Sequence, residues 1–182
     1  MSLRLRPLPE SASRILDELR APPRLVAHLT LVHDVALGLI SALRKRWPRL
    51  SVDAEAVALG AALHDIGKAV VREELSQPGD KHEALGEQLL LSRGVPAPIA
   101  RFARTHAQAD REGLALEDLL VTLADKVWKG KRDEPLEQEV CRRVASACGQ
   151  APWEVFLSLD EVLERLARDA DERLEWQAAH GL

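Results

Sequence analysis

Residues 24–46 read Arg24-Leu-Val-Ala-His28-Leu-Thr-Leu-Val-His33-Asp-Val-Ala-Leu-Gly-Leu-Ile-Ser-Ala-Leu43-Arg-Lys-Arg46. Leu25, His28, Leu31, Val32, Val35, Ala36, Leu39 and Leu43 recur at spacings of three and four, so they share one stripe of a helix and fit no strand. Pro23 suits the first helical turn, where its missing N–H is not needed, and Pro48 stops the run.

The same period extends in both directions. Ser11–Leu19 reads as a short helix closed by Pro22-Pro23. Asp53 is placed to cap a helix expected to carry Val57, Gly60, Ala61, His64, Ile66 and Lys68, and its many Ala and Gly residues predict a central, closely packed position. After the turn Gln77-Pro78-Gly79-Asp80 comes a helix over Lys81–Ser92, ended by Gly94, and Pro96 and Pro98 open another that ends near His106. Asp110–Gly113 is a predicted loop, and Leu116–Lys129 a helix ended by Gly130. Pro135–Cys148 and Pro152–Ala179 complete the set, with Trp153, Phe156 and Leu159 expected to pack the last helix onto the rest. No alternating β-branched run occurs, so the fold class is all-α, a single-domain helical bundle. Its divisions are an N-terminal extension over 1–23, a domain over 24–132 that holds the chemistry, and helices over 133–182 that complete it.

Composition narrows the function classes. The 182 residues are 46% hydrophobic and 30% charged, and 25 Lys and Arg against 29 Asp and Glu leave a net charge of −4. That balance gives no general attraction for a nucleic-acid polymer or a membrane surface. Aromatic residues are 3% and Tyr is absent, which removes the stacking platforms of single-strand binders. The longest unbroken apolar run, Ala56–Leu63, is far below the roughly 20 residues of a bilayer span. Met1-Ser-Leu-Arg-Leu-Arg-Pro lacks the apolar core and cleavage site of a secretory leader, so a cytoplasmic location is expected. Cys141 and Cys148 fit neither a zinc pair nor a disulfide framework and are expected to be reduced and structural. His180 is expected in an exposed tail.

Five of the six histidines lie between positions 28 and 106, and one is followed by an aspartate inside Ala61-Ala62-Leu63-His64-Asp65-Ile66-Gly67-Lys68. An ionised carboxylate in so apolar a stretch is costly without compensation, and a bound cation supplies it. Imidazole nitrogen and carboxylate oxygen suit first-row transition metals. Taken alone, the dipeptide reads sooner as a core histidine beside a capped or salt-bridged aspartate.

The segment His64-Asp65-Ile66-Gly67-Lys68 resembles the signature of the HD superfamily of metal-dependent phosphohydrolases. That pattern runs His, His-Asp, then a distal Asp, with two more histidines between the last elements in dinuclear members. Asp125 in Leu-Val-Thr-Leu-Ala-Asp-Lys resembles the distal Asp, His82 the histidine opening a His-x-x-x-Gly helix, and His106 the next one. For the first histidine, His28 and His33 compete. His28 lies on the apolar stripe, while His33 is about 140° round the helix and reads as a flanking residue.

The resemblance spans about residues 24–132. It implies six metal ligands, His28, His64, Asp65, His82, His106 and Asp125, a number that suits two ions, iron or manganese, bridged by Asp65. In the mononuclear variant His28, His64, Asp65 and Asp125 hold one ion, and His82 and His106 contact substrate phosphate. The expected activity is cleavage of a phosphoester or phosphoanhydride by metal-activated water, with no covalent nucleophile. Asp65 orients that water, and Lys68, one turn after His64, reaches the substrate phosphate as a point charge. Arg104, Lys126 and Lys129, near the ligands in sequence, are further phosphate-binding candidates, with a solvated helix face as the plainer reading.

The order of elements is similar to the bacterial bis(5'-nucleosyl)-tetraphosphatase (symmetrical) family, implying a nucleotide or dinucleoside polyphosphate as substrate. The residues after His106, Ala-Gln-Ala-Asp-Arg-Glu-Gly, depart from that family's loop. They also lack the elements of HD-GYP cyclic-di-GMP phosphodiesterases, whose tyrosine this chain cannot provide. Two other classes share the ligand set: an HD-fold di-iron oxygenase, distinguished by oxygen uptake, and a non-catalytic nucleotide-binding module, distinguished by purifying without metal. The sequence leaves a homodimer open.

Overall fold

The computed structural model describes residues 3–108 and 113–181; the predicted loop from Asp110 falls largely outside them. In chain order the helices are α1 (Glu10–Glu18), α2 (Pro23–Arg46), α3 (Ala54–Leu63), α4 (Lys81–Ser92), α5 (Ala97–Ala100), α6 (Phe102–Thr105), α7 (Leu116–Val127), α8 (Glu134–Cys148), α9 (Pro152–Ala167) and α10 (Ala170–Ala178). Two 3₁₀ turns, Ile66–Ala69 and Arg72–Leu75, join α3 to α4. No strand occurs among the described residues, and the all-α expectation holds.

α2 and α3 are the axis of the bundle, packing on each other and both on α7. α2 adds residues to two apolar clusters: Leu25 and Leu29 join Ile15, Leu63, Ile66 and Leu90 in the smaller, and Leu31 to Leu43 join α3, α7, α8 and α9 in the larger. His28 lies between Leu25 and Leu29 in the chain. By length and a mean hydropathy of 1.6, Pro23–Arg46 is long and apolar enough to cross a membrane, which a search for unbroken apolar runs misses because Arg24, His28, His33 and Asp34 interrupt them. Here α3, α7 and α9 cover it, and 56% of its most apolar window is buried.

Local chemistry sets the element ends. The Asp53 side chain accepts the Ala56 N–H at 2.9 Å, capping α3 as expected. Gly60 leaves room for Phe102: a Cβ there would lie 2.6 Å from its ring. Contrary to expectation, α3 stops at Leu63, so His64, Ile66 and Lys68 are not on it. The chain tightens into 3₁₀ bonding, Lys68 N–H to the Asp65 carbonyl at 3.0 Å, and brings Gly67 so close to the His82 carbonyl that any Cβ would overlap it. The predicted helix from Pro96 is broken into α5 and α6 at Arg101, and α7 ends two residues before Lys129.

The helix expected over Pro152–Ala179 is also broken, between Ala167 and Ala170. Arg173 folds back and donates from Nη1 to the Leu166 carbonyl at 2.5 Å, satisfying an end that a continuous helix would not have. On α9 the buried stripe is Val155, Leu159, Val162 and Leu163. Trp153 and Phe156 fall off it, 64% and 40% exposed, so of the three residues expected to pack there only Leu159 does. His180 is half-buried rather than in an exposed tail: its Nδ1 meets the Trp176 carbonyl at 2.8 Å, and next to it the Gly181 carbonyl accepts the Arg24 N–H at 2.9 Å.

Two outcomes follow from this packing. Phe102→Ala, which empties the space against Gly60, lowers the unfolding free energy by about 3–5 kcal/mol, read from urea denaturation; a loss under about 1 kcal/mol contradicts the packing. Cys141 is a free, buried thiol that burial, then the charges of Glu137 and Asp160, push up to about 11. The native chain at pH 8 therefore reacts readily with a thiol reagent at the half-buried Cys148 and slowly at Cys141, whose rate climbs with pH toward that value. Because folding raises this pKa, its stabilisation is complete below about pH 8.5, the ordinary thiol value, and is lost as pH rises further.

Candidate metal centre

Five separate segments each bring a ligand-type side chain to one place. His28 comes from the second turn of α2, His64 and Asp65 from the end of α3, His82 from the first turn of α4, His106 from the end of α6, and Asp125 from the last turn of α7. Asp65, its side chain 5% exposed, is at the centre.

Its two oxygens face different partners. Oδ2 lies 3.2 Å from His28 Nε2 and 3.8 Å from His64 Nε2, while Asp125 Oδ1 lies 3.4 and 3.7 Å from the same two nitrogens, and the nitrogens themselves are 3.3 Å apart. Oδ1 lies 3.1 Å from His82 Nε2 and 3.3 Å from His106 Nε2. Ligand atoms held about 2.1 Å from one ion are roughly 3.0 Å apart at a right angle and 3.4 Å at the tetrahedral angle. The observed separations are those of ligand shells. His28, His64 and Asp65 form one group able to hold a metal ion, and Asp65, His82 and His106 form another.

Hydrogen bonding supports the same reading. Asp65 Oδ1 and His82 Nε2 are buried and, despite their proximity, not aligned to bond; neither has a hydrogen-bond partner. Orphaned buried acceptors are expensive, and here they point to a cation held between them. The opposite ring nitrogens are engaged: His64 Nδ1 with the Ala61 carbonyl at 3.0 Å, His106 Nδ1 with the Ala103 carbonyl at 3.1 Å, and His82 Nδ1 with Glu74 Oε2 at 2.5 Å. A carbonyl only accepts, so on His64 and His106 the Nδ1 carries a proton, and Nε2 is the nitrogen left to face a metal.

Charge follows from the arrangement. Burial alone would raise the Asp65 carboxyl, but the charge of His64 and the approach of His106, His28 and His82 outweigh it and hold it well below the usual range. Asp125 is lowered in the same way, burial being overcome by the approach of His64 and the charges of His28 and Lys129. For His82, burial is outweighed by Asp65 and Glu74 and the imidazole is raised; Glu74, in turn, is lowered by His82 against burial.

Of the expected cations, Lys68 Nζ sits 2.6 Å from Asp65 Oδ2 and Lys129 Nζ 3.5 Å from Asp125 Oδ2. Both line the cleft over the cluster, as does Lys126. Arg104 does not: it reaches the other way, 3.4 Å from Glu87, because the end of α6 points its side chain at α4. His33 is also away from the centre, buried with its Nδ1 3.0 Å from the Ala58 carbonyl, where it joins α2 to α3.

Two contributors had no signal in the sequence. Glu74 is buried on a 3₁₀ turn, accepting from the His82 ring and from the backbone N–H groups of Lys81 and His82 at 3.2 and 3.1 Å. Trp128, just past α7, meets the His28 ring edge-on at 5.3 Å. The cleft has two lobes that share His28, Asp65, Lys68 and Lys129, one of about 260 Å³ over His82 and His106 and one of about 180 Å³ toward Arg24, Trp128 and Gln177.

Residues 26–128, more than half of the chain, match the family model of the HD domain. No match is found among curated proteins or among solved structures.

A chelator should therefore lower the thermal midpoint of the purified chain, and a divalent metal should restore it. At a free metal concentration of one hundred times Kd the gain is about 2.7 kcal/mol. Asp65→Asn, which keeps the shape but not the charge, is expected to show neither response; a metal-dependent shift of wild-type size in that variant contradicts the assignment.

Proposed function

Because the chain belongs to the HD domain family, whose members are typically metal-dependent hydrolases, we propose that it is a phosphohydrolase with two divalent ions, iron or manganese, bridged by Asp65. The reading rests above all on the unpartnered Asp65 Oδ1 and His82 Nε2, which leave the two oxygens of one carboxylate facing two sets of imidazoles. His28, His64, Asp65 and Asp125 would hold one ion, and Asp65, His82 and His106 the other. Metal ions in such a site polarise a phosphoryl oxygen and make hydroxide available from water near neutral pH.

The surrounding residues favour phosphate over a neutral substrate. Lys68, Lys126 and Lys129 line the cleft, so an anion entering it meets three ammonium groups. Lys68 is oriented by Asp65 and positions an incoming phosphate oxygen beside the bridging carboxylate. Among the described residues lining either lobe there is no Ser, Thr or Cys, which favours water over a hydroxyl or thiol as the attacking group. Trp128 and Leu25 close the apolar side and limit solvent access. The substrate we propose is a small phosphorylated compound, a nucleotide or a dinucleoside polyphosphate.

Metal content and phosphate release, measured together on a panel of phosphomonoesters, nucleoside diphosphates and dinucleoside polyphosphates, test this. The expected result is about two ions per chain and metal-dependent release, both lost in Asp65→Ala. Bound metal with oxygen uptake and no phosphate release from any compound overturns it. Lys68→Met is expected to retain metal while lowering kcat/KM about tenfold or more; an unchanged kcat/KM removes Lys68 from the mechanism.

A further inference from the structure

The smaller lobe of the cleft contains polar groups that the metal centre does not use. Arg24, on the first turn of α2, lines it half-buried and has no acidic partner among the described residues. Gln177, from α10, lines it with no side-chain hydrogen bond among the described residues. Trp128 lines it as well, and its indole Nε1 is buried without a partner. Of these only the indole N–H is both buried and unbonded, a costly state, while Arg24 and Gln177 present half-buried donors to the same cavity, an arrangement that suits an acceptor from outside the protein.

The cavity's size and neighbours say what kind. At about 180 Å³ it is below the roughly 300–1,000 Å³ of whole-ligand pockets, so it takes a group rather than a molecule. It shares His28, Asp65, Lys68 and Lys129 with the larger lobe, so its occupant lies directly beside whatever the metal centre holds. Arg24 is cationic, and Lys68 and Lys129 stand on the common wall. Glu74, the other acid on this side, is already engaged by His82.

We propose that this lobe is a second anion subsite, in which Arg24, Gln177 and Trp128 Nε1 bind a phosphate group adjacent to the one at the metal centre. The preferred substrate then carries two linked phosphates, and a lone phosphomonoester leaves the subsite empty. The inference rests on the phosphohydrolase reading for what is cut, but the binding itself does not depend on turnover. It also gives α10 a role: Gln177 enters the subsite because the carbonyl of Gly181 is bonded to the N–H of Arg24, which holds the end of the chain against the start of α2.

Calorimetry on the metal-loaded chain with inorganic phosphate and with imidodiphosphate, which resists hydrolysis, tests the subsite directly. Imidodiphosphate is expected to bind at least tenfold tighter, and Arg24→Gln to reduce that ratio about tenfold. Gln177→Ala, on the surface of a terminal helix, is a second variant expected to reduce the ratio in the same direction. Equal affinities in the wild-type chain, or an unchanged ratio in both variants with circular dichroism intact, overturn the proposal. A retained imidodiphosphate preference without phosphate release from any panel compound would uphold the subsite and defeat the hydrolase reading. Release with no such preference would do the reverse.

Discussion

One buried carboxylate organises this molecule. Asp65 sits where α3 gives way to a 3₁₀ turn, and its charge is held at a depth where an unpaired carboxylate would be prohibitive. Its neighbours His64 and Lys68 compensate it in part, and the rest comes from elsewhere in the chain: His28 from α2, His82 from α4 and His106 from α6. The constraint shapes the backbone too. Gly67 meets the His82 carbonyl so closely that no side chain fits, and Gly86 packs a turn further on against Gly67 and Ile66. The polar cluster can form only if the helices carrying it pack without a Cβ at that crossing.

The helical class was legible because period three-and-four spacing persists through nearly every segment, and no alternating β-branched run offered a strand. His28 could be separated from His33 by its place on the stripe, and the structure shows what the distinction means: one nitrogen faces Asp65, the other a carbonyl of α3. The ligand types were legible from the resemblance and not from periodicity, since His64, Asp65 and His106 lie at helix ends, where no face is defined. Glu74 was not legible at all. Its burial follows from a 3₁₀ turn folding beneath α4, a tertiary event with no local sequence pattern. Arg104 was misplaced because closeness to His106 along the chain says nothing about direction around a one-turn helix. The break after Ala167 escaped for a related reason: it depends on the long reach of Arg173, while helix propensity runs through it unchanged.

The cleft differs from the chain as a whole in its balance of charge. In a chain of net −4 the lining of the two lobes is formally balanced, with Arg24, Lys68, Lys126 and Lys129 set against Asp65, Glu74, Glu83 and Asp125, so the field inside depends on where each charge sits and not on the molecular total.

The stretch between His64 and His82 is the least self-sufficient part of the bundle. It is two short 3₁₀ turns and a polar loop, with Ile66, Ala69 and Val71 as its buried apolar residues and the ends pinned by Asp65 and by the Glu74–His82 contact. Few apolar contacts make such a segment cheap to open while the helices around it stay folded. An ion held at this centre would tie Asp65 to His82 across that segment, so binding it would also suppress this local opening.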